Sequence, residues 1–233
     1  MKKYLKKISV VFPAYNESKN IEICVVVAHA ILKELVEEFE IIIVNDGSKD
    51  ETGDICRELE NKFSNIKVIF KTKNEGYGYA LRDGFKEAKY DLLFFSDSDR
   101  QFDIFNLKDL LDYSDDFDIV VGYRKKRQDS FKRRILSSGY NFLIRRLFGL
   151  SVKDVDCAFK LFKRSVFEKI TIESQRYFVN TEILAKAVGN CLKIKQIAVS
   201  HFPRHEGVSS VGFYDIPRTI SELIRIKKSI AGR

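Results

Sequence analysis

Asp91-Leu92-Leu93-Phe94-Phe95-Ser96-Asp97-Ser98-Asp99-Arg100-Gln101 is the segment that decides the fold. Residues 91–95 predict a buried strand, and the chain then leaves the apolar layer with two carboxylates and an amide. Aspartates two positions apart, directly after a strand, can converge on one divalent cation whose other ligands are often substrate phosphates. A polar turn is the alternative interpretation of these residues. The surrounding sequence decides between a metal site and a polar turn.

Length and composition are those of one globular domain. The 233 residues suffice for a single α/β domain with a sizeable core, and 45% hydrophobic with 32% charged residues argues against a disordered chain. No apolar run approaches the roughly 18 residues of a membrane span, and the basic start leads into a strand, so no signal peptide is expected. The four cysteines lie far apart without a CxxC pair, which predicts reduced thiols in the cytoplasm.

Strand-like and helix-like segments alternate along the first half of the chain. The hydrophobic pattern predicts strands at 8–12, 40–45, 66–70, 91–95 and 118–121, and helices at 19–36, 50–63 and 77–88. This alternation predicts an α/β fold with a mostly parallel, Rossmann-like sheet and helices on both faces. We place a single domain at residues 1–212 and expect a basic amphipathic helix at 213–233.

Polar residues follow four of these strands. Because ligands of parallel sheets bind beyond the carboxyl ends of the strands, the four groups are expected to form one site. The groups are Pro13-Ala14-Tyr15-Asn16-Glu17, Asn45-Asp46-Gly47-Ser48, Asn74-Glu75-Gly76, and Asp97 with Asp99. Asp46 suits a nucleobase N–H or a ribose hydroxyl, and Tyr15 suits a base lying against its ring. For residues 45–48 taken alone, an ordinary strand-to-helix turn with an N-cap is the alternative.

The positive charge is concentrated in one segment. The chain has 41 Lys and Arg against 33 Asp and Glu, a net charge of +8, and residues 124–150 hold nine of the basic residues with one acid. Interleaved aromatic and aliphatic residues predict a helix on an anionic surface, either membrane headgroups, nucleic acid or a phosphorylated lipid. A helix with a core face and a solvated basic face is the alternative. Residues 214–231 have a similar pattern, either as a second interfacial helix or as a helix packed on the domain.

The ordered motifs resemble the family 2 glycosyltransferases with the GT-A fold. Within that family the chain is most similar to the dolichol-phosphate mannosyltransferases and their bacterial polyprenyl-phosphate relatives. The similarity runs from about residue 8 to 212, and the matching stretches are 11–17, 43–50, 74–76, 96–101, 121–124, 154–160 and 201–204, with Gly207 and Ser209. The resemblance implies a GT-A domain that transfers a sugar from a nucleotide-sugar with inversion of the anomeric carbon.

The resemblance also implies which residues form the donor site. Five residues would hold the nucleoside, the last of them beside the base: Pro13, Ala14, Tyr15, Glu17 and Asp46. Three residues would bind Mg²⁺ or Mn²⁺ and, through the cation, the donor diphosphate: Asp97, Asp99 and Gln101. The base, uracil or guanine, stays open.

Arginines suit phosphate recognition because the planar guanidinium binds phosphate oxygens in pairs and stays charged. The resemblance implies that the acceptor and donor phosphates are held by Arg124, Arg204 and Ser209, with Arg133 or Arg134 as a second arginine on the acceptor. Asp99 and Arg124 are expected to be catalytic. A lipid monophosphate needs little help from a base, whereas a sugar hydroxyl needs a carboxylate, for which Asp156 and Glu182 are the candidates. A first-turn acid that stabilises its helix is the alternative for Glu182.

The sequence therefore predicts a metal-dependent glycosyltransferase with a GDP- or UDP-linked donor and a polyprenyl or dolichyl phosphate acceptor. We expect it on the inner face of the membrane, in peripheral contact through 124–150 and, on one alternative, through 214–231. Transfer to a sugar hydroxyl in capsule, lipopolysaccharide or other cell-surface glycan assembly is the alternative function. A non-catalytic nucleic-acid binder would leave the ordered carboxylates without a role, so no nucleic-acid partner is expected.

Overall fold

A computed structural model of the chain describes residues 3–125, 131–203, 223 and 225–227, with the backbone alone for 131–138. The strands are β1 (Tyr4–Ala14), β2 (Val36–Asn45), β3 (Ile66–Phe70), β4 (Leu92–Ser96), β5 (Ile119–Arg124), β6 (Phe159–Lys163) and β7 (Ile194–Val199). The helices are α1 (Ile21–Leu35), α2 (Thr52–Lys62), α3 (Tyr77–Glu87), α4 (Leu107–Leu111), α5 (Phe131–Phe148), α6 (Ser165–Lys169) and α7 (Val179–Gly189). A single 3₁₀ turn at Ile104–Asn106 leads into α4.

The described strands form one sheet in the order β3-β2-β1-β4-β6-β5-β7. The pairs β1–β2, β1–β4, β2–β3 and β5–β7 are parallel, while β6 runs antiparallel to both β4 and β5. The expected α/β fold with a mostly parallel sheet is therefore confirmed. The reversed β6 was not predicted.

Alternation of side chains along the strands fills two apolar layers, one on each face of the sheet. Along β1, Val11 points into the layer that α3, α5 and α7 cover, whereas Val10 and Phe12 point into the layer under α1, α2 and α4. Helix α1 faces this second layer with residues three or four positions apart: Ile21, Val25, Ala28, Leu32 and Leu35. Both faces of the sheet are thus buried, as a parallel sheet requires.

Helix α3 packs closely on β1 and β2. At Gly84 an added Cβ would lie 2.4 Å from Cγ1 of Val11 and 3.2 Å from Cγ2 of Val44. The absence of a side chain at this position lets the helix approach the sheet, and it brings the start of α3 close to the ends of β2 and β4. The helix predicted at 77–88 is confirmed as α3.

The chain after residue 203 is described only at residues 223 and 225–227. These residues are helical; Leu223 and Ile226 are buried in the apolar layer shared with α5 and α7, while Arg225 and Lys227 are exposed. This pattern favours a helix packed on the domain over an interfacial one. The domain division at 212 and the remainder of the predicted helix at 214–231 lie outside the described residues.

Two further expectations concern thiols and membrane spans. All four cysteines are free, and burial raises the pKa of Cys24, Cys56 and Cys157 to about 12, so these three thiols stay protonated near neutral pH. Within the described ranges, no helix is both long enough and apolar enough to cross a bilayer.

Candidate active site at the carboxyl edge of the sheet

The loops after β1, β2 and β4 meet at one edge of the sheet and are joined by hydrogen bonds. The backbone N–H of Asp46 donates to the carbonyl of Ala14 at 2.9 Å, and the Ser98 hydroxyl donates to the carbonyl of Pro13 at 2.8 Å. Ser98 lies between the two aspartates of the predicted metal motif. The bond to Pro13 therefore couples the loop expected to bind the cation to the loop expected to hold the nucleoside.

The loop after β1 is shaped by hydrogen bonds to the loop before α2 and to the first residue of α2. Asn16 adopts a left-handed backbone conformation with φ of 55°, its N–H donates to the Ser48 hydroxyl, and its side-chain oxygen accepts from the N–H of Lys49. The N–H of Glu17 donates to the Thr52 hydroxyl at 2.8 Å. These bonds leave the ring of Tyr15 at the rim with 38% of its surface exposed. The predicted contact of Tyr15 with a base stays a prediction.

Asp46 supports the loop between β3 and α3. Its Oδ1 accepts from the N–H of Glu75 at 3.0 Å, its Oδ2 accepts from the N–H of Gly76 at 2.8 Å, and the Lys71 ammonium lies 3.6 Å from Oδ1. The carboxylate is almost fully buried. Sequence reasoning placed Asp46 beside the base and did not foresee this second role.

The metal motif presents two neighbouring carboxylates after β4. Asp99 is buried and Asp97 is partly buried, and Oδ1 of Asp97 accepts a hydrogen bond from the Tyr77 hydroxyl at 2.7 Å. Burial first, and the charge of Asp99 second, raise the pKa of Asp97 to about 7, against the opposing effect of the Tyr77 bond. A carboxylate pair that repels itself in this way fits a divalent cation, which would neutralise both charges.

The third predicted ligand, Gln101, joins the metal motif to the segment after β7. Its side-chain nitrogen donates to the carbonyl of Phe202 at 3.2 Å, and the N–H of Phe202 donates to the Gln101 carbonyl at 2.8 Å. The amide oxygen is therefore the atom through which Gln101 would reach a cation. Among the residues described, no group of three or more His, Cys, Asp or Glu side chains is placed to hold a metal alone. A cation here would need further oxygens, which fits a ligand set completed by phosphates.

Arg124 forms a buried pair with Asp154. The guanidinium donates from Nε and Nη2 to the two carboxylate oxygens at 2.7 and 2.8 Å, and both side chains are nearly inaccessible. Arg124 was predicted to grip a phosphate, and the structure adds a partner that fixes the plane of its guanidinium. Asp154 stands in the motif at 154–160, but no role was predicted for it.

Glu182 does not fit the predicted role of a general base. It lies in the first turn of α7 and is fully buried, and its oxygens accept from the N–H groups of Glu173 and Ser174 and from the Lys186 ammonium. A carboxylate enclosed by four hydrogen bonds cannot take a proton from an acceptor without breaking them. The alternative of a structural first-turn acid is the better account. Asp156, the other candidate, is partly exposed.

Lys160 is a fully buried lysine close to these acids. Its ammonium donates to the carbonyl of Cys157 and to the side-chain oxygen of Asn180. Burial lowers its pKa to about 8, although the nearby charges of Asp156, Asp154 and Asp97 act in the opposite direction. Lys160 thus places a positive charge near the acidic residues at the carboxyl edge of the sheet. It belongs to the motif at 154–160, but no role was predicted for it from the sequence.

Four predicted phosphate ligands fall where the structure gives no side chain. Arg133 and Arg134 lie in the part of α5 with a described backbone only, and Arg204 and Ser209 lie outside the described residues. Their roles stay predictions. Tyr77, by contrast, is described in full and was missed, although it stands directly after the Asn74-Glu75-Gly76 motif.

The described end of α5 has one apolar, basic face. Phe142 is 66% exposed and Leu143 is 44% exposed, and Arg145 and Arg146 are exposed beside them. The opposite face packs on the domain through the buried Ile144.

The seven described strands, one of them reversed, and the carboxylate pair at the carboxyl edge of their sheet have the architecture of the GT-A fold. A solved structure of glucosyl-3-phosphoglycerate synthase from Mycobacterium tuberculosis has the same fold, with a TM-score of 0.71 over 97% of this chain and 80% of that chain at 20% identity. The chain belongs to Glycosyl transferase family 2, whose sequence model matches residues 9–171. The family resemblance seen in the motifs is therefore confirmed.

Two curated relatives have similar sequences. The chain is 31% identical over 208 residues to the glycosyltransferase AglD of Haloferax volcanii, covering 85% of this chain and 33% of AglD. It is 29% identical over 222 residues to the undecaprenyl-phosphate 4-deoxy-4-formamido-L-arabinose transferase of Yersinia enterocolitica, covering 94% of this chain and 67% of that enzyme. The chain thus spans about a third of the first relative and two thirds of the second. The Mycobacterium tuberculosis synthase has also been solved with Mn²⁺, UDP and glucosyl-3-phosphoglycerate.

Proposed function

We propose that this protein transfers a sugar, with inversion, from a GDP- or UDP-linked donor to a polyprenyl phosphate at the inner face of a membrane. The observation that carries the proposal is the pair of neighbouring carboxylates, buried Asp99 and partly buried Asp97, joined through Ser98 to the end of β1. The similarity to an undecaprenyl-phosphate glycosyltransferase over 94% of the chain supports the lipid phosphate as acceptor.

Asp97, Asp99 and the amide oxygen of Gln101 would hold Mg²⁺ or Mn²⁺, and the donor diphosphate would complete the ligand set. When bound, the cation stabilises the negative charge that develops on the diphosphate as the sugar–phosphate bond breaks. The β1 loop, with Tyr15 at its rim, would orient the nucleoside. Holding the leaving group in place lets binding energy lower the barrier of the transfer step.

The acceptor would approach near the pair of Arg124 and Asp154. The two hydrogen bonds of Asp154 hold the guanidinium in one orientation, so phosphate binding costs little further side-chain entropy. A lipid phosphate is already anionic near neutral pH and attacks without a general base, which agrees with the structural role of Glu182. Transfer to a sugar hydroxyl would instead require a base, and the partly exposed Asp156 is the residue left for that role.

We assign membrane contact to the face of α5 that carries Phe142, Leu143, Arg145 and Arg146. Exposed aromatic and aliphatic side chains beside arginines suit an interface rich in anionic lipid. Vesicle co-sedimentation tests this surface, with and without phosphatidylglycerol. The double substitution Phe142→Ser with Leu143→Ser should abolish binding to anionic vesicles, while Phe70→Ser, which removes an exposed aromatic ring on β3, should not. Equal binding of both variants would remove this surface from the proposal.

The donor site is tested by calorimetric titration of UDP and GDP, with and without Mn²⁺, into the wild type and Asp99→Ala. We expect cation-dependent binding of one nucleotide, lost in Asp99→Ala and kept in the control Asp116→Ala, whose side chain is exposed. A nucleotide affinity that is the same with and without Mn²⁺, and the same in Asp99→Ala, would contradict the proposed metal site.

The acceptor is tested by product analysis with the nucleotide-sugar of the preferred base. Undecaprenyl phosphate and lipid-linked or free sugars are offered in parallel. A product in which the sugar is bonded to the phosphate of undecaprenyl phosphate supports the proposed acceptor. A glycoside formed only on a sugar hydroxyl, and lost in Asp156→Asn, would favour the alternative function.

A further inference from the structure

Tyr77 is placed to control the geometry of the proposed metal site. Its hydroxyl donates to Oδ1 of Asp97 at 2.7 Å, and none of the roles assigned above uses it. We propose that Tyr77 is a positioning residue, which fixes the plane of the Asp97 carboxylate so that the carboxylate meets the cation in one orientation. The inference rests on the proposed function, because it takes Asp97 as a ligand.

The backbone on both sides of Tyr77 is held. The N–H of Gly76 donates to Asp46, and the N–H of Gly78 donates to the carbonyl of Gln175 at 2.8 Å. A Cβ at Gly78 would lie 2.0 Å from the carbonyl oxygen of Ser174, so this approach requires glycine. With both neighbours fixed, Tyr77 has little freedom to move its ring away from Asp97.

The ring of Tyr77 is also held by a second aromatic ring. Tyr177, which precedes α7, stacks on it with ring centroids 5.4 Å apart and an interplanar angle of 26°. Tyr177 is itself 36% exposed. Stacking of this kind favours one ring orientation, which helps to keep the Tyr77 hydroxyl on Asp97.

A held phenol matters to a metal site because a ligand carboxylate must face the cation with a defined orientation. Rotation about the Cβ–Cγ bond of Asp97 would turn its oxygens away, and the Tyr77 bond restrains this rotation. Partners behind the ligands generally change metal affinity by about 10–100-fold when they are removed. The same connection extends to Asp46, which holds the loop that presents Tyr77.

The test compares Tyr77→Phe with the wild type by calorimetric titration of Mn²⁺ in the presence of UDP or GDP, whichever the protein binds. We expect the Mn²⁺ dissociation constant to rise about 10–100-fold, while thermal stability without Mn²⁺ changes little. Tyr79→Phe is the matched control. Tyr79 is on the same helix, and its hydroxyl accepts from the side chain of Gln175, away from Asp97.

The outcomes separate the inference from the proposed function. If the wild type binds nucleotide without any dependence on Mn²⁺, the proposed metal site fails and the inference fails with it. If the wild type needs Mn²⁺ but Tyr77→Phe binds Mn²⁺ as tightly, only the inference is overturned. An equal loss of Mn²⁺ affinity in Tyr79→Phe would identify a merely structural role of the tyrosines on this helix and would also overturn the inference.

Discussion

Replacing Glu182 with glutamine separates a structural carboxylate from a catalytic one. Oε1 accepts from the Lys186 ammonium at 2.7 Å and from the N–H of Glu173 at 3.0 Å, while Oε2 accepts from the N–H of Ser174 at 2.8 Å. Glutamine has nearly the same shape, but its nitrogen is a donor that would face donors. We therefore expect Glu182→Gln to reduce stability and to leave the chemical step almost unchanged.

The size of the effect follows from these contacts. A buried N–H that loses its acceptor costs about 1–3 kcal/mol. Breaking a buried ion pair costs about 3–5 kcal/mol when the other charge is left alone. Lys186 is not left alone, because it also lies 2.7 Å from Oε1 of Glu173 and donates to the Thr171 carbonyl. We expect a total loss of about 3 kcal/mol, which a domain of ordinary stability survives.

Urea unfolding measures the loss, and the turnover number is measured under native conditions with saturating donor and acceptor. Glu168→Gln provides the control, because Glu168 is an exposed acid on α6 and its substitution should change stability by less than about 0.5 kcal/mol. The turnover number of Glu182→Gln should stay within a few-fold of the wild type. General bases contribute about 10²–10⁴-fold. A drop of that size with unchanged unfolding would refute the structural assignment and restore Glu182 as the base.

Three further predictions concern a buried charge, the packing of glycines in helices and a hydrogen bond between two loops. Lys160→Met should change the pH dependence of stability, measured by urea unfolding at several pH values. Between pH 8 and 10.5 the lysine of the unfolded chain still binds a proton that the lysine of the folded chain has lost. Over this range the stability of the wild type should therefore rise relative to that of the variant by on the order of 3 kcal/mol. Gly84→Ala should lower stability by about 1 kcal/mol in thermal unfolding, because overpacking against Val11 of β1 exceeds the gain in helix propensity. Gly139→Ala should raise stability by up to about 1 kcal/mol in the same assay, because the added Cβ would meet no described atom within 4 Å. Ser98→Ala removes the buried bond to Pro13 and should cost about 1–2 kcal/mol in urea unfolding; an unchanged midpoint would contradict the coupling of the two loops.

The first five strands and first three helices were predictable because their apolar patterns are strong and regular. Strand β6 was not predictable from its pattern, because Lys160 occupies an interior position in a five-residue strand. The charge is stabilised there by oxygens of Cys157 and Asn180, and both residues lie outside the strand. Such compensation is a property of the folded structure and leaves no local signal.

For the site, the sequence located the residues better than it assigned their partners. Asp97 and Asp99 were predicted together because they stand two positions apart directly after a strand, where both carboxylates can reach one cation. The pairs Arg124 with Asp154 and Tyr77 with Asp97 depend on strand order and side-chain direction, which spacing along the chain does not encode. For Glu182 the sequence left a general base and a structural first-turn acid open, because its enclosure by residues 173 and 174 was not visible in the sequence.

The reversed direction of β6 affects how proteins of this family could diverge. Because Ser96 at the end of β4 pairs with Phe159 at the start of β6, the loop at 154–158 enters the site edge as the β4 loop leaves it. The two loops are neighbours in space but are separated by some fifty residues of chain. In an enzyme with the proposed function, the loop at 154–158 would lie on the acceptor side and the β4 loop on the donor side. Insertions and substitutions in one loop could therefore accumulate during evolution while the other loop keeps its sequence.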